Sequence, residues 1–414
     1  THSYLKVGSE PFGKNPFGPI SKTIKNNYKS LKEKLKKKTS PNSIQIETKQ
    51  IFLIVMESYD SWPLMDKYKD LNVSSNLKNI QNKGISFVNF LPAANTTMNS
   101  FGAIVTNIPY SGVNISTIGA TKSFPSSIFE QFKTLGYQTN FFYGGYLSWQ
   151  NIKNFTRKQG ADNIFGAGSI SSSKGIWGVD DESLFDTVLK EIDTTKNSLN
   201  IILSLSYHPP YEVDIYENGF PYKSTKDIPE KFKPLYDKEK MPLKALGHLW
   251  YADKALGDFV NEAEKKYPNA LFAFTGDHYG RRFINGSPTL YESSSVPFIL
   301  YGKSVNKNPK HVLTPGSHID ITPTLIELVA PANYTYYSFG NSLLKKNNEN
   351  KIGIGYNKVI DTIQIQEFSK NYGTKRQIIS NHKLTKEISL GTKQKHDSLM
   401  SLAWHYTTKG DSIN

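Results

Sequence analysis

The stretch Ile51-Phe52-Leu53-Ile54-Val55-Met56-Glu57-Ser58 decides the fold. Six consecutive apolar residues, two of them isoleucine and one valine, are too few for a buried helix. They suit a strand covered on both faces, as in the middle of a parallel sheet. The run ends on a carboxylate, which is costly at the end of a buried strand unless it is paired, protonated or bound to a cation. Similar runs recur downstream, at Gln138 to Tyr143, Leu199 to Leu205, Ala270 to Phe274 and Pro297 to Tyr301. Stretches of helical period separate them, at Ser127 to Leu135, Asp181 to Ile192, His248 to Lys265 and Asp320 to Val329. Strands alternating with helices predict an α/β fold with a doubly wound, mostly parallel sheet.

The two ends differ from this middle. Residues 1–45 read as an arm, with a Gly-, Pro- and Phe-rich stretch at Gly13 to Pro19. Its segment Lys29 to Lys38, KSLKEKLKKK, suits a short basic helix lying on an acidic surface, or else a frayed linker. Residues 46–345 carry the α/β pattern. From Lys346 onward the period shortens and Lys, Gln and Thr dominate, so 346–414 are expected to form a small antiparallel subdomain ending in a helix at Asp397 to Tyr406. No run of about 18 apolar residues is present, so nothing here reads as a membrane span. The chain starts on Thr and reads as a piece or a processed product, with any membrane anchor expected upstream.

Composition narrows the chemistry. Zero cysteines exclude disulfides, thiol nucleophiles and thiolate metal sites. Aromatics at 13% argue for a packed core rather than disorder. The net charge of +14 suits anionic neighbours such as lipid head groups or polyphosphate polymers, and equally a plain solvated lysine surface. A nucleic-acid partner would rest on charge alone, and none is expected.

In open α/β sheets ligands collect beyond the carboxyl ends of the strands, so the residues after each run carry the chemistry. Glu57 follows the first run; alone it also reads as a salt-bridged acid. After Ala270 to Phe274 comes Thr275-Gly276-Asp277-His278-Tyr279-Gly280, where Asp277 and His278 offer a hard oxygen and an imidazole to a divalent ion. After Ile85 to Leu91 comes Asn95-Thr96-Thr97-Met98-Asn99-Ser100, leading into a helix. A hydroxyl at a helix start sits where a phosphate can be held, and Thr97 equally suits a plain helix cap. His208, in Ser206-Tyr207-His208-Pro209-Pro210, follows another run and reads as a phosphate donor or a packed loop residue. His318, in Gly316-Ser317-His318-Ile319-Asp320, is similar.

In this order the segments resemble the lipoteichoic-acid synthase group of the alkaline phosphatase/sulfatase superfamily. The matching pieces are Met56-Glu57-Ser58, the Thr97 loop, His208-Pro209, Gly276 to Gly280, Val296-Pro297-Phe298, Asp320 to Leu325 and Tyr337 to Leu344. The resemblance implies that Glu57, Thr97, Asp277 and His278 ligate one divalent metal, manganese first, with zinc or magnesium as alternatives. Thr97 is also the implied nucleophile. His208 and His318 are expected to contact substrate, and Trp149 to line a glycerol-phosphate pocket. The group's Trp-Asn-Arg reads Trp149-Gln150-Asn151 here, so Asn151 stands where an arginine grips phosphate. The C/S-x-P-S-R motif of sulfate-ester cleavage is absent.

The implied activity is a phospho-alcohol transfer, of phosphoglycerol or phosphoethanolamine, from a phospholipid head-group donor to an anionic or glycan acceptor in the cell envelope. It would run through a phosphothreonine, at a membrane surface on the extracytoplasmic side. A hydrolase on the same scaffold, or a non-catalytic binder of anionic polymer, are the alternatives.

Overall fold

The computed structural model describes residues 12–42, 45–280, 282–307, 309–345, 352–369, 373–379 and 386–413. The apolar run at 51–56 is a strand, Gln50–Met56 (β1), buried at all seven positions. Seven further strands complete its sheet among the described residues: Ile85–Phe87 (β2), Gln138–Tyr143 (β3), Asn163–Phe165 (β4), Ser198–Leu203 (β5), Leu271–Gly276 (β6), Phe298–Tyr301 (β7) and Lys310–Val312 (β8). Their order across the sheet is β8-β2-β7-β6-β1-β5-β3-β4. β7 alone runs against the others, so the sheet is mixed but mostly parallel.

Because side chains alternate along a strand, β1 feeds two cores. Phe52, Ile54 and Met56 pack on one face with Leu184 and Phe185 of the helix Asp181–Glu191 and with Leu249 and Leu256 of the helix Leu243–Lys266. Ile51, Leu53 and Val55 pack on the other with the helices Thr97–Thr106, Ile128–Thr134 and Ile321–Val329. Two covered faces explain why positions 51–56 of the strand are all apolar, and each fully buried aliphatic or aromatic side chain contributes about 1.5–3 kcal/mol.

Three expectations are revised. The run Ile85 to Leu91 is two strands: after β2, Phe90–Leu91 leaves the main sheet and pairs with Gly316–Ser317. The long helix starts at Leu243, five residues before His248, directly after Pro242. The lysine-rich arm does not lie on an acidic surface. Leu31 and Leu35, four residues apart, bury one face of the short helix Leu31–Leu35 against Leu402, Ala403 and Tyr406. The chain then extends as Lys36–Lys38 and pairs antiparallel with Thr335–Tyr337.

Beyond the main sheet, Gly353–Ile354, Lys358–Ile360, Gln364–Ser369 and Gly373–Ile378 form an antiparallel sheet in chain order. A helix follows at Lys386–Lys409, longer than the expected 397–406. No helix of the described residues is long and apolar enough to cross a membrane.

Candidate active site

Strand register builds the floor of the site. β1 and β6 pair so that Met56 lies opposite Gly276, which puts the residues that follow, Glu57 and Asp277, side by side. The Asp277 N–H donates to Met56 O at 3.0 Å and continues the ladder past the strand end. On the other flank the Glu57 N–H donates to the Ser204 hydroxyl at 3.0 Å, just beyond β5. The chain turns away at Ser58, whose φ of 52° lies in the left-handed region.

Three of the expected ligands are buried: Glu57 is 3% exposed, Asp277 0% and His278 8%. One oxygen or nitrogen from each lies within 4.8 Å of the others. Asp277 Oδ1 accepts the N–H groups of Ser58 at 2.8 Å and His278 at 2.6 Å, while its buried Oδ2 has no hydrogen-bond partner. Burial, then the neighbouring Glu57, pushes the Asp277 carboxyl well above its ordinary range. His278 Nδ1 lies 2.9 Å from Tyr279 O, a carbonyl that can only accept, so Nδ1 carries the proton. Nε2 faces Glu57 Oε1 at 3.8 Å and Asp277 Oδ2 at 3.5 Å. Glu57, Asp277 and His278 thus form a buried group that could hold a metal ion. This donor set of carboxylates, imidazole and hydroxyl fits a divalent ion of the manganese, zinc or magnesium type.

Thr97 opens the helix Thr97–Thr106, but the residue in the cap position is Thr96. The Thr97 hydroxyl is turned inward instead, 3.2 Å from Glu57 Oε2 and 3.3 Å from His278 Nε2. All four residues expected as ligands thus meet at one point on the rim of the sheet.

Above them is a cleft of about 490 Å³. Trp149 and His208 line it, with the His208 ring edge-on to Trp177 at 5.2 Å between centroids. Asn151 does not line it. That residue is exposed at a φ of 59°, accepts a hydrogen bond from Asn154 at 2.7 Å, and leaves Gln150 to face the cleft. His318 does not line it either. It is fully buried, takes the Ala93 N–H on Nδ1 at 3.2 Å and lies 2.9 Å from Gly276 O through Nε2. Burial lowers its pKa to about 3, so it is a neutral brace behind the β6 end rather than a group facing substrate.

Other cleft residues were not among those expected. Tyr207 and Tyr211 flank His208, and Arg282 follows the Gly276 to Gly280 loop. Asp60, buried and pushed up by that burial, accepts the Gly280 N–H at 2.9 Å and holds the loop from behind. The signal for Arg282 was in the composition: four of the 50 basic residues are arginines, and two of them, 281 and 282, directly follow this loop.

Comparison with known proteins gives the family and the fold. The sulfatase family profile matches residues 49–331. A lipoteichoic acid synthase-like protein of Bacillus subtilis, YvgJ, is 21% identical over 320 residues, covering 72% of this chain. The chain spans 50% of that relative's length. Two solved structures share the fold. The lipoteichoic acid synthase LtaP of Listeria monocytogenes superposes with a TM-score of 0.70 at 16% identity, covering 87% of this chain and 93% of that one. The Streptococcus pyogenes phosphoglycerol transferase GacH, in complex with sn-glycerol-1-phosphate, gives 0.56 at 15% identity, covering 89% and 88%. The fold is that of the alkaline phosphatase superfamily. With a profile match over most of its length and a buried donor cluster at the strand ends of that fold, the chain belongs to the sulfatase family.

Proposed function

We propose that the protein is a phospho-alcohol transferase that moves phosphoglycerol or phosphoethanolamine from a phospholipid to a cell-envelope polymer or glycan. The observation that carries this reading is the Thr97 hydroxyl, turned away from any capping role and set within 3.3 Å of both Glu57 and His278. When bound at Glu57, Thr97, Asp277 and His278, a divalent ion supplies Lewis acidity for activating a hydroxyl and offsetting charge at phosphorus.

The protein's own groups do the rest. Thr97 Oγ1 attacks phosphorus in line while its proton passes toward Glu57 Oε2. The new Oγ1–P bond forms as the bond to the departing lipid alkoxide breaks, and His208, at the cleft mouth, protonates that alkoxide. The positive end of the helix Thr97–Thr106 favours the negative charge on the phosphoryl oxygens. An acceptor hydroxyl then attacks the phosphothreonine and gives its proton to His208, while the P–Oγ1 bond breaks and Thr97 regains its proton from Glu57. The Trp149 ring walls the space beside the head group. The likeness to lipoteichoic acid synthases supports a lipid donor and a site of action on the outer face of the bacterial membrane.

The test is to incubate the protein with manganese and fluorescent phosphatidylglycerol or phosphatidylethanolamine. Mass spectrometry should show an adduct on Thr97 whose mass names the head group. A Thr97→Ala protein with undiminished turnover would refute the reading.

A further inference from the structure

Among the described residues that line the cleft, Arg282 alone carries a permanent positive charge. Position 151 offers only an amide, and that amide points elsewhere, to Asn154. A site that closes on a phosphodiester needs a fixed counter-charge for the non-bridging oxygen, and Arg282 is placed to supply it. Its backbone is anchored, because the Trp62 indole N–H donates to Arg282 O at 3.1 Å and Trp62 is 1% exposed. One end of the guanidinium is held as well, Nη1 donating to Lys240 O at 3.2 Å. A guanidinium has five donors, so a bond to a carbonyl leaves others for an anion.

Two phenols, Tyr207 and Tyr211, line the same cleft. Tyr207 is 2% exposed and lines the cleft, yet its hydroxyl has no hydrogen-bond partner. A buried hydroxyl without a partner is a donor that a bound acceptor can satisfy. The chain also uses arginine sparingly, so its presence here is not a by-product of a basic surface. Arginine differs from lysine in offering a planar fork that matches two oxygens of one phosphate.

We infer that Arg282, with Tyr207 lining the same cleft, is the anion-gripping element of this cleft and selects substrates with a negatively charged phosphoester, in place of a cation at position 151. The inference rests on the transferase reading and deepens it.

The experiment uses the whole chain with manganese. Calorimetry measures the affinity for sn-glycerol-1-phosphate, and steady-state kinetics measure KM and kcat with phosphatidylglycerol. R282Q is expected to weaken binding and raise KM by about tenfold to a hundredfold, the worth of a charge-assisted hydrogen bond, with kcat changed far less. R282K should recover part of the loss, and adding Asn151→Arg to R282Q should recover part as well. Equal melting temperatures would show that the variants fold. A wild type that turns over substrate while R282Q keeps its affinity and KM within twofold overturns the role of Arg282 and leaves the transferase reading standing. A wild type that neither binds the phosphoester nor turns over lipid overturns both.

Discussion

The floor and the rim of the cleft are built in different ways. Glu57, Asp277 and His278 follow directly on paired strands, and Thr97 opens a helix packed on the same sheet, so main-chain hydrogen bonds fix their positions. Trp149, Gln150, His208 and Arg282 ride on loops, two of which include left-handed residues at Gln150, Asn151 and Tyr211. The floor is a consequence of the fold and the rim is not. Chemistry should therefore be shared across proteins with this sheet, while the choice of substrate is free to drift with the loops.

The largest expected effect tests the floor. Thr97→Ala should lower kcat at least about a thousandfold while the melting temperature stays near the wild-type value. Appreciable turnover by this variant would remove the distinction between a reacting floor and a selecting rim. Next comes the cation. At a manganese concentration of about 100 times its Kd the wild type should gain about 2.7 kcal/mol of stability, read as a rise in melting temperature that a chelator reverses. Asp277→Asn should lose that rise, and without metal it should be no less stable than the wild type, because it removes one of two carboxyls crowded in a buried site. A manganese response that survives Asp277→Asn would place the ion elsewhere.

The rim should answer more mildly. Trp149→Ala is expected to raise KM about tenfold and to change kcat by less than about threefold, since it removes one aromatic wall from the space beside the head group. A collapse of kcat instead would move Trp149 into the chemistry.

The smallest effect should come from a residue outside both regions. The Lys37 ammonium bonds Gly340 O and Asn341 Oδ1, and burial lowers its pKa from 10.5 to about 7. Between these two values the unfolded chain binds the extra proton, so stability rises with pH there. From pH 7 to 9 the wild type should gain on the order of 1–2 °C in melting temperature relative to Lys37→Met, with KM and kcat unchanged between the two.

The sequence was informative where one physical rule dominates. A run of six apolar residues that closes on Glu57 can hardly be anything but a buried strand, and the residue after such a run lands on the ligand-binding rim. It was uninformative where partners are distant and aperiodic. His318 sits in a loop motif that looks functional, and its burial follows only from the Ala93 N–H and Gly276 O that it satisfies. Arg282 belongs to no period, and Tyr207 and Tyr211, which line the same cleft, come from the loop after β5. Leu31 and Leu35 are hidden among lysines, and their buried face shows only once the C-terminal helix is seen against them.

Segments around Leu31 and Asp411, far apart in the chain, also meet. Ser30 forms a bridge with Ser412, the Leu31 N–H donates to Asp411 O at 3.0 Å, and Ile20, Leu31, Leu35, Leu402, Tyr406 and Ile413 share one apolar cluster with Ile108 and Phe124 of the family-matched region. Cutting the protein back to the region that matches the family profile would strip both partners from Ile108 and Phe124 at once. A shortened protein of that kind should be sticky and hard to purify.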